Sequence, residues 1–388
     1  MRVAVVGGKL QGLEAAYLAK KAGWEVVLID KNNQVPALKL CDQFYKNDVT
    51  KIVEWIPILK KIDLIIPALE NQEALNSLVR SAHYANVPLL FDGDAYVISS
   101  SKLVSNEMFA RSGVPAPIPW PECGFPIIVK PSDSSGSQGV YKINSALEFQ
   151  RLFEKGLTDW VIEEYLEGPS YSLEVIGYAG IYKALQITEL EMDDVYDCKR
   201  VLGSPTLPVK LREEFVQLGL RLARNLKLNG IMDIETILHR DTLKVLEIDA
   251  RLPSQTPIAV YHATGTNILE ILGKAFAEGK PWADFEIQPK QSVVFEHIHV
   301  SKNRLEVAGE HIISNAGPLT LCKNFFGADE ALTNFTPGRT EWVATLIMTG
   351  ESNQEAWDRR CRVIQEIVKE IGIAQYIDRY PAQRELEI

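Results

Sequence analysis

Two acidic residues, Asp233 and Glu235, alternate in "MDIETIL", and two more, Glu247 and Asp249, alternate with Arg251 in "VLEIDARLPSQTP". Strand side chains point to opposite faces with a period of two, so each set shares one face. Glu235 and Glu247 lie twelve residues apart across the polar "HRD", a spacing that predicts a β-hairpin. Antiparallel pairing then brings four carboxylates and one guanidinium together. Left unpaired, such a cluster repels itself strongly. A hard divalent cation resolves this, and Mg²⁺ takes a few carboxylates together with phosphate oxygens. Arg251 suits an anionic oxygen of a phosphate or an acyl phosphate. The competing reading is a solvated strand face laced with salt bridges.

Lys130 ends the apolar run "FPIIVK", and the Ser/Gly-rich "PSDSSGSQGV" follows. Backbone N–H groups of such a loop, with the hydroxyls of Ser134, Ser135 and Ser137, can cover an anion. There is no GxxxxGK[ST] pattern, and an ordinary strand-to-loop junction reads the same way. In "VIEEYLEG", Glu163, Glu164 and Leu166 lie where the chain leaves a strand. Such a segment can offer backbone groups to an adenine edge or be a plain surface strand end. Gly7, Gly8 and Gly12 shape a loop at a helix N-terminus, which attracts anions, and Asp30 ends the next strand, where dinucleotide folds place a ribose-binding acid. A Rossmann-type cofactor site and a purely structural βα turn both fit. Glu70 follows "LIIPAL" at a strand's carboxyl end, where open α/β sheets bind ligands; it can hold an ammonium or face solvent. His297 and His299 share a strand face without a third ligand. The five cysteines are scattered, with no CxxC, so no disulfide framework or zinc site is expected.

The elements that must position these residues form an α/β protein of two or three packed domains, as 388 residues suggest. Residues 1–98 read as a doubly wound domain. Its strands are "RVAVVGG", "EVVLID", "LIIPAL" and "PLLFD"; its helices are an amphipathic "LQGLEAAYLAKKAG" and "NQEALNSLVRSAHYAN". In residues 99–170, Ser99 to Ser101 cap a helix from Lys102 to Arg111, followed by strand "FPIIVKPS", helix "SALEFQRLFEKG" and strand "WVIEEYL". Residues 171–388 hold the helix "EFVQLGLRLARNLKL", the acidic hairpin, strands "QSVVFEHIHV", "HIISNAG" and "EWVATLIMTG", and a closing helix. The net charge of −10 and the lack of a basic run argue against nucleic acid as a partner. No apolar run approaches the roughly 18 residues of a membrane span. The start reads as a strand rather than a signal peptide, and scattered reduced thiols suit the cytoplasm. The sequence does not disclose the oligomeric state; a symmetric homodimer is the commonest assembly of such chains.

The order of Lys102, Lys130 with its loop, "EEYLEG" and the acidic hairpin resembles the ATP-grasp superfamily, whose two α/β subdomains clamp ATP. The resemblance covers nearly the whole chain. It implies a Rossmann-like pre-ATP-grasp domain at 1–98, a small subdomain with its lid at 99–170, and a large subdomain with the C-terminal region at 171–388. It further implies that Lys102 and Lys130 contact ATP phosphates and that Ser134 to Gly139 form a mobile lid. Glu163 and Leu166, with Glu164 beside them, would hold adenine mainly through backbone groups, and Glu235, Glu247 and Asp249 would bind two Mg²⁺ ions.

More narrowly, "GGKLQGLEAAYLAKKAG", "LFDGDAYVIS", "VYDCK", "NGIMDIE" and "IDARLPSQTP" resemble the pyrrolysine-biosynthesis ligase family, which joins (3R)-3-methyl-D-ornithine to the ε-amine of L-lysine. That resemblance implies that Leu10, Gln11 and Glu70 contact lysine, and that Asp233, Arg251 and Ser254 face the methylornithine. Lys9, Asp30 and the Asp48–Val49 pair match positions that can hold a second adenine nucleotide. The ribose-binding glutamate of many amino-acid ligases falls at Ser170 here, with Glu174 as a substitute.

The expected chemistry is activation of a carboxylate by ATP as an acyl phosphate, with Lys130 and two Mg²⁺ at the phosphates and Arg251 at the tetrahedral intermediate. Asp233 and Glu174 are the candidates to deprotonate the lysine amine. The alternatives are a D-Ala–D-Ala-like ligase for another amino-acid pair, a biotin-type carboxylase, whose glycine-rich lid is missing here, and a nucleotide-binding oxidoreductase. The last leaves the acidic hairpin unexplained.

Overall fold

The computed structural model describes residues 1–133, 139–152, 159–282 and 285–381. Apolar runs buried on both faces, β1 (Arg2–Val6), β2 (Glu25–Asp30) and β4 (Leu64–Pro67), build a parallel sheet that the more polar, largely exposed β3 (Gln43–Lys46) completes at one edge, in the order β3-β2-β1-β4. Helices α1 (Leu10–Lys21), α2 (Ile52–Leu59) and α3 (Gln72–Ala85) belong to this layer. "PLLFD", expected as a further strand, gives only a single parallel bridge from Leu89 to Ile65. The chain turns away at Asp92, whose side chain accepts the Ala95 N–H and caps α4 (Gly93–Ser99).

Helix α5 (Lys102–Arg111) is capped by the Ser101 hydroxyl, as the sequence predicts. Next come β5 (Ile127–Pro131), β6 (Tyr141–Ile143), α6 (Ala146–Leu152) and β7 (Trp160–Glu164), the three strands forming an antiparallel sheet ordered β6-β5-β7. The Ser132 hydroxyl lies 3.1 Å from that of Ser101 and accepts the Leu103 N–H at 3.2 Å. This contact fastens the first turn of α5, with Lys102, to the end of β5, with Lys130.

The remaining chain builds one eleven-stranded sheet. Its first strands are β8 (Ser170–Tyr178), β9 (Ile181–Met192), β10 (Cys198–Leu202), β11 (Gly230–His239) and β12 (Thr242–Asp249). They are followed by β13 (Ser292–Ser301), β14 (Arg304–Val307), β15 (Thr320–Phe325), β16 (Ala328–Thr333), β17 (Glu341–Gly350) and β18 (Gln375–Asp378). The path runs β12-β11-β8-β9-β10-β13-β17-β16-β15, with β14 and β18 branching from β13. Helices α7 (Val209–Leu226), α8 (Thr256–Thr264), α9 (Ile268–Glu278) and α11 (Asn353–Ile371) accompany it. "HIISNAG" is not the expected strand but the one-turn helix α10 (His311–Ser314). The backbone N–H groups of Gly309 and His311 are taken by the carboxylates of Asp193 and Asp197, so this segment cannot join a ladder.

Helix α1 is not amphipathic in its surroundings, because every residue from Gln11 to Ala19 is buried. The large sheet's helices pack over the side that would otherwise face water. Asn267 at the start of α9 donates to the Leu18 carbonyl at 2.8 Å, and Glu14 accepts the Ile258 N–H of α8 at 2.6 Å. Tyr17 donates to Glu330 at 2.5 Å and lies 2.6 Å from His262 Nε2. Burial, offset in part by Glu330, pushes His262 down to about 4, so this seam is held by a neutral imidazole.

At the far side of the sheet, Arg200 of β10 and Arg360 of α11 share the fully buried Glu296, and both reach Asp378 of β18. Removing one partner of such a cluster strands buried charge. Glu296→Ala should therefore lower unfolding free energy by about 3–5 kcal/mol, read as a reduced urea midpoint.

Candidate active site

The hairpin forms in the register that the acidic spacing predicts: Asp233 lies opposite Asp249, and Glu235 opposite Glu247. On its other side β11 pairs with β8, which sets Glu174 opposite Asp233 and Ser172 opposite Glu235. Directly opposed residues share a face, so five carboxylates look out from three neighbouring strands. The Ser172 hydroxyl donates to Asp233. Glu174 is fully buried, and although the Thr256 hydroxyl lies near it, neither carboxylate oxygen makes a hydrogen bond of normal geometry.

Basic groups ring this face. Lys102 Nζ stands 3.0 Å from Glu247 Oε2. Arg251 reaches Asp249 Oδ2 at 3.0 Å and Glu70 Oε1 at 2.8 Å, and the Gln11 amide donates to the same Glu70 oxygen at 2.9 Å. Lys130 pairs with Glu163 at 2.7 Å, both buried, and the Asn106 amide donates to Glu163 at 3.3 Å. Burial and mutual repulsion push Glu174, Glu235 and Asp249 up, Asp249 to about 7, and burial raises Asp233 to about 6. Glu247 is the exception: burial pushes it up, but Lys102 and Lys130 together hold it below the usual carboxylate range.

The face offers only oxygen donors, and most of its acids resist ionising on their own. That chemistry fits a hard divalent cation, which replaces the protons these acids would otherwise keep. Glu235, Glu247 and Asp249 are the acids of this face that could hold one.

Two clefts open beside this face. One, of about 400 Å³, is lined by Lys102, Asp233, Glu235, Glu247, Asp249 and Thr256 among others. The second, of about 740 Å³, is lined by Lys9, Leu10, Gln11, Asp30, Asp48 and Val49 among others. Glu70, Asp197, Arg251, Ser254 and Glu310 line both, so the clefts meet there. In the second cleft, Asp30 is engaged by the Gly8 and Asn32 N–H groups, at 2.8 and 2.7 Å, and Asp48 by Thr50. Leu166 is buried. Glu164 faces the other way from Glu163, toward Lys244 at 2.5 Å and the Ile118 N–H at 3.1 Å, as strand alternation requires. Ser134, Ser135 and Ser137 lie outside the described residues.

Several contributors carry no sequence signal. Glu310, 56 residues beyond Ser254, accepts from the Ser254 hydroxyl and the Gln255 amide, both at 2.7 Å. Gln255 has φ of +70°, a conformation that a non-glycine residue adopts only when its surroundings enforce it. Glu310 holds the "PSQTP" turn through Ser254 and Gln255, and Glu14 accepts the Ile258 N–H just after it. Tyr96 donates to the Glu70 carbonyl at 3.1 Å and lines the smaller cleft.

The acids around Glu235 all oppose its ionisation. Glu235→Gln should therefore raise the melting temperature without metal and weaken Mn²⁺ binding about tenfold or more, measured by calorimetry and electron paramagnetic resonance.

Residues 99–255 match the ATP-grasp domain family, and residues 3–89 match the PylC-like N-terminal domain family. The 3-methyl-D-ornithine–L-lysine ligase of Methanosarcina mazei is 37% identical over 96% of this chain and 97% of its own. The enzyme of that name from Methanosarcina barkeri is 35% identical over 95% and 98%. Among solved structures, the biotin carboxylase domain of Hydrogenobacter thermophilus 2-oxoglutarate carboxylase, in complex with MgADP, ADP and bicarbonate, superimposes with a TM-score of 0.74 at 16% identity, covering 94% of this chain and 89% of that one. An L-amino acid ligase from Bacillus licheniformis gives 0.71 at 15%, covering 94% and 97%. At such identities the solved structures establish the fold, and the sequence relatives establish the family. The chain belongs to the 3-methyl-D-ornithine–L-lysine ligase family of ATP-grasp enzymes.

Proposed function

We propose that this enzyme forms an amide between the carboxylate of (3R)-3-methyl-D-ornithine and the ε-amine of L-lysine, at the expense of ATP and through an acyl phosphate, in the cytoplasm. The observation that carries the reading is the junction of the clefts. The acidic face with Lys102 opens on one side, the "GKLQG" loop lies on the other, and Arg251 with Glu70 joins them. Family membership supplies the substrate pair. The functional units are residues 1–98, 99–170 and 171–388.

Lys102 and Lys130 bind phosphate oxygens of ATP, and backbone groups near Glu163 and Leu166 hold adenine. Glu235, Glu247 and Asp249 hold two Mg²⁺ ions, which when bound neutralise charge on the phosphates. Asp233, Ser254 and Glu174 surround the methylornithine. Its carboxylate oxygen attacks the γ-phosphate, and Arg251 stabilises the negative charge of the tetrahedral adduct that follows. Leu10, Gln11 and Glu70 hold lysine, Glu70 as the counter-ion of an ammonium. Lys9, Asp30, Asp48 and Val49 offer a second adenine nucleotide a place in the larger cleft.

Incubation with ATP, Mg²⁺, L-lysine and 3-methyl-D-ornithine should give the amide by mass spectrometry, with one ADP and one phosphate for each amide. Nicotinamide turnover without ATP use would overturn the reading. Glu70→Ala removes a charged partner and should raise the KM for lysine about 10- to 100-fold, with the KM for ATP little changed. An unaltered lysine KM removes Glu70 from that pocket.

A further inference from the structure

Asp193, Asp197 and His311 converge where the clefts meet, one ligand atom of each within 4.8 Å of the others. Three of their four carboxylate oxygens are already engaged. Asp193 Oδ1 accepts the Val195 and Asp197 N–H groups at 2.9 and 3.0 Å, and its Oδ2 accepts Gly309 N–H at 2.9 Å. Asp197 Oδ2 accepts from His311 twice, from the backbone N–H at 3.1 Å and from the ring Nδ1 at 2.5 Å. The loop lies so close that a Cβ at Gly309 would stand 2.2 Å from the Asp197 carboxylate. This is a built Asp–His pair rather than an ion cage. With Nδ1–H donated to Asp197, the ring's lone pair is on Nε2. Asp197 is buried, while the His311 side chain is 56% exposed. His311 lines the same cleft as Leu10, Gln11 and Glu70.

We propose that His311, oriented by Asp197, is the general base that deprotonates the lysine ε-ammonium; this rests on the ligase reading above. An ordinary lysine has a pKa of about 10.4, so at neutral pH the nucleophile must be released from its proton. Nε2 takes one proton. The amine lone pair forms the C–N bond to the acyl carbon, and the C–O bond to phosphate breaks, phosphate leaving with the electron pair. The second proton on the amide nitrogen leaves with that phosphate, and the imidazolium discharges to solvent through its exposed edge. Glu174 and Asp233 lack this exit, since both are buried on the acidic face.

The groups facing His311 are Asp197 and Asp193 from the turn before β10, Glu306 from β14 and His297 from β13. The Asp197 hydrogen bond leads, and the net effect holds the imidazole above its usual value. Base catalysis needs the neutral ring, so kcat for lysine rises with pH through that raised value.

The test compares wild type, His311→Gln and Asp197→Asn with ATP and 3-methyl-D-ornithine, offering lysine or hydroxylamine as acceptor. Hydroxylamine is already uncharged at neutral pH and needs no base. In His311→Gln the amide rate should fall about 100-fold or more, and the hydroxamate-to-amide ratio should rise by a similar factor. The histidine limb should vanish from the pH profile, and in Asp197→Asn it should move to lower pH. Wild-type amide formation by His311→Gln, or equal loss with both acceptors, overturns the assignment. A wild-type enzyme that yields neither amide nor hydroxamate overturns the ligase reading, and this proposal with it.

Discussion

Repulsion among five carboxylates on three adjacent strands is the constraint around which the site is arranged. The strand register fixes their spacing, so the acids cannot move apart. Cations must come to them. Lys102 arrives on the first turn of α5, which Ser101 and Ser132 fasten to β5, and Arg251 arrives on the chain leaving β12. Only Glu247, with Lys102 beside it and Lys130 within electrostatic reach, is held down as a stable anion. The others are held toward their protonated forms, so a cation bound among them, as proposed, would release protons.

The same economy joins the two halves of the molecule. Arg251 is shared between Asp249 on the large sheet and Glu70 above the parallel sheet. The buried helix α1 repeats the arrangement through Glu14, Tyr17 and Leu18, which bond to α8, β16 and α9. A substrate bridging the clefts thus meets a seam fixed at several points, which favours a set distance between reacting groups over one reached by closure alone.

The hairpin was legible because its chemistry follows from two local rules, period-two alternation and a short turn, and both partners lie within one stretch of sequence. The Ser101 cap was legible for the same reason. Glu174 could be named but not placed: its neighbour Asp233 lies 59 residues away on β11, and only the β8–β11 register makes them face each other. Glu310 and Asp197 depend on loops that meet in three dimensions with no spacing rule to announce them. "HIISNAG" looks like a strand by composition, yet remote carboxylates claim the N–H of its first residue, His311, and that of Gly309 just before it. Helix α1 carries polar residues at intervals, but its polar side is covered by another layer, an outcome that periodicity cannot contain.

The acidic hairpin ends the eleven-stranded sheet, since β12 is its terminal strand. A sheet edge is a template for pairing with another chain. Here the Val245 N–H is already given to the Pro115 carbonyl at 2.8 Å, and the charges of Lys244, Glu247 and Asp249 would be set against any strand stacked in register from a second molecule. Charges that the proposed chemistry uses thus also oppose in-register pairing at this edge.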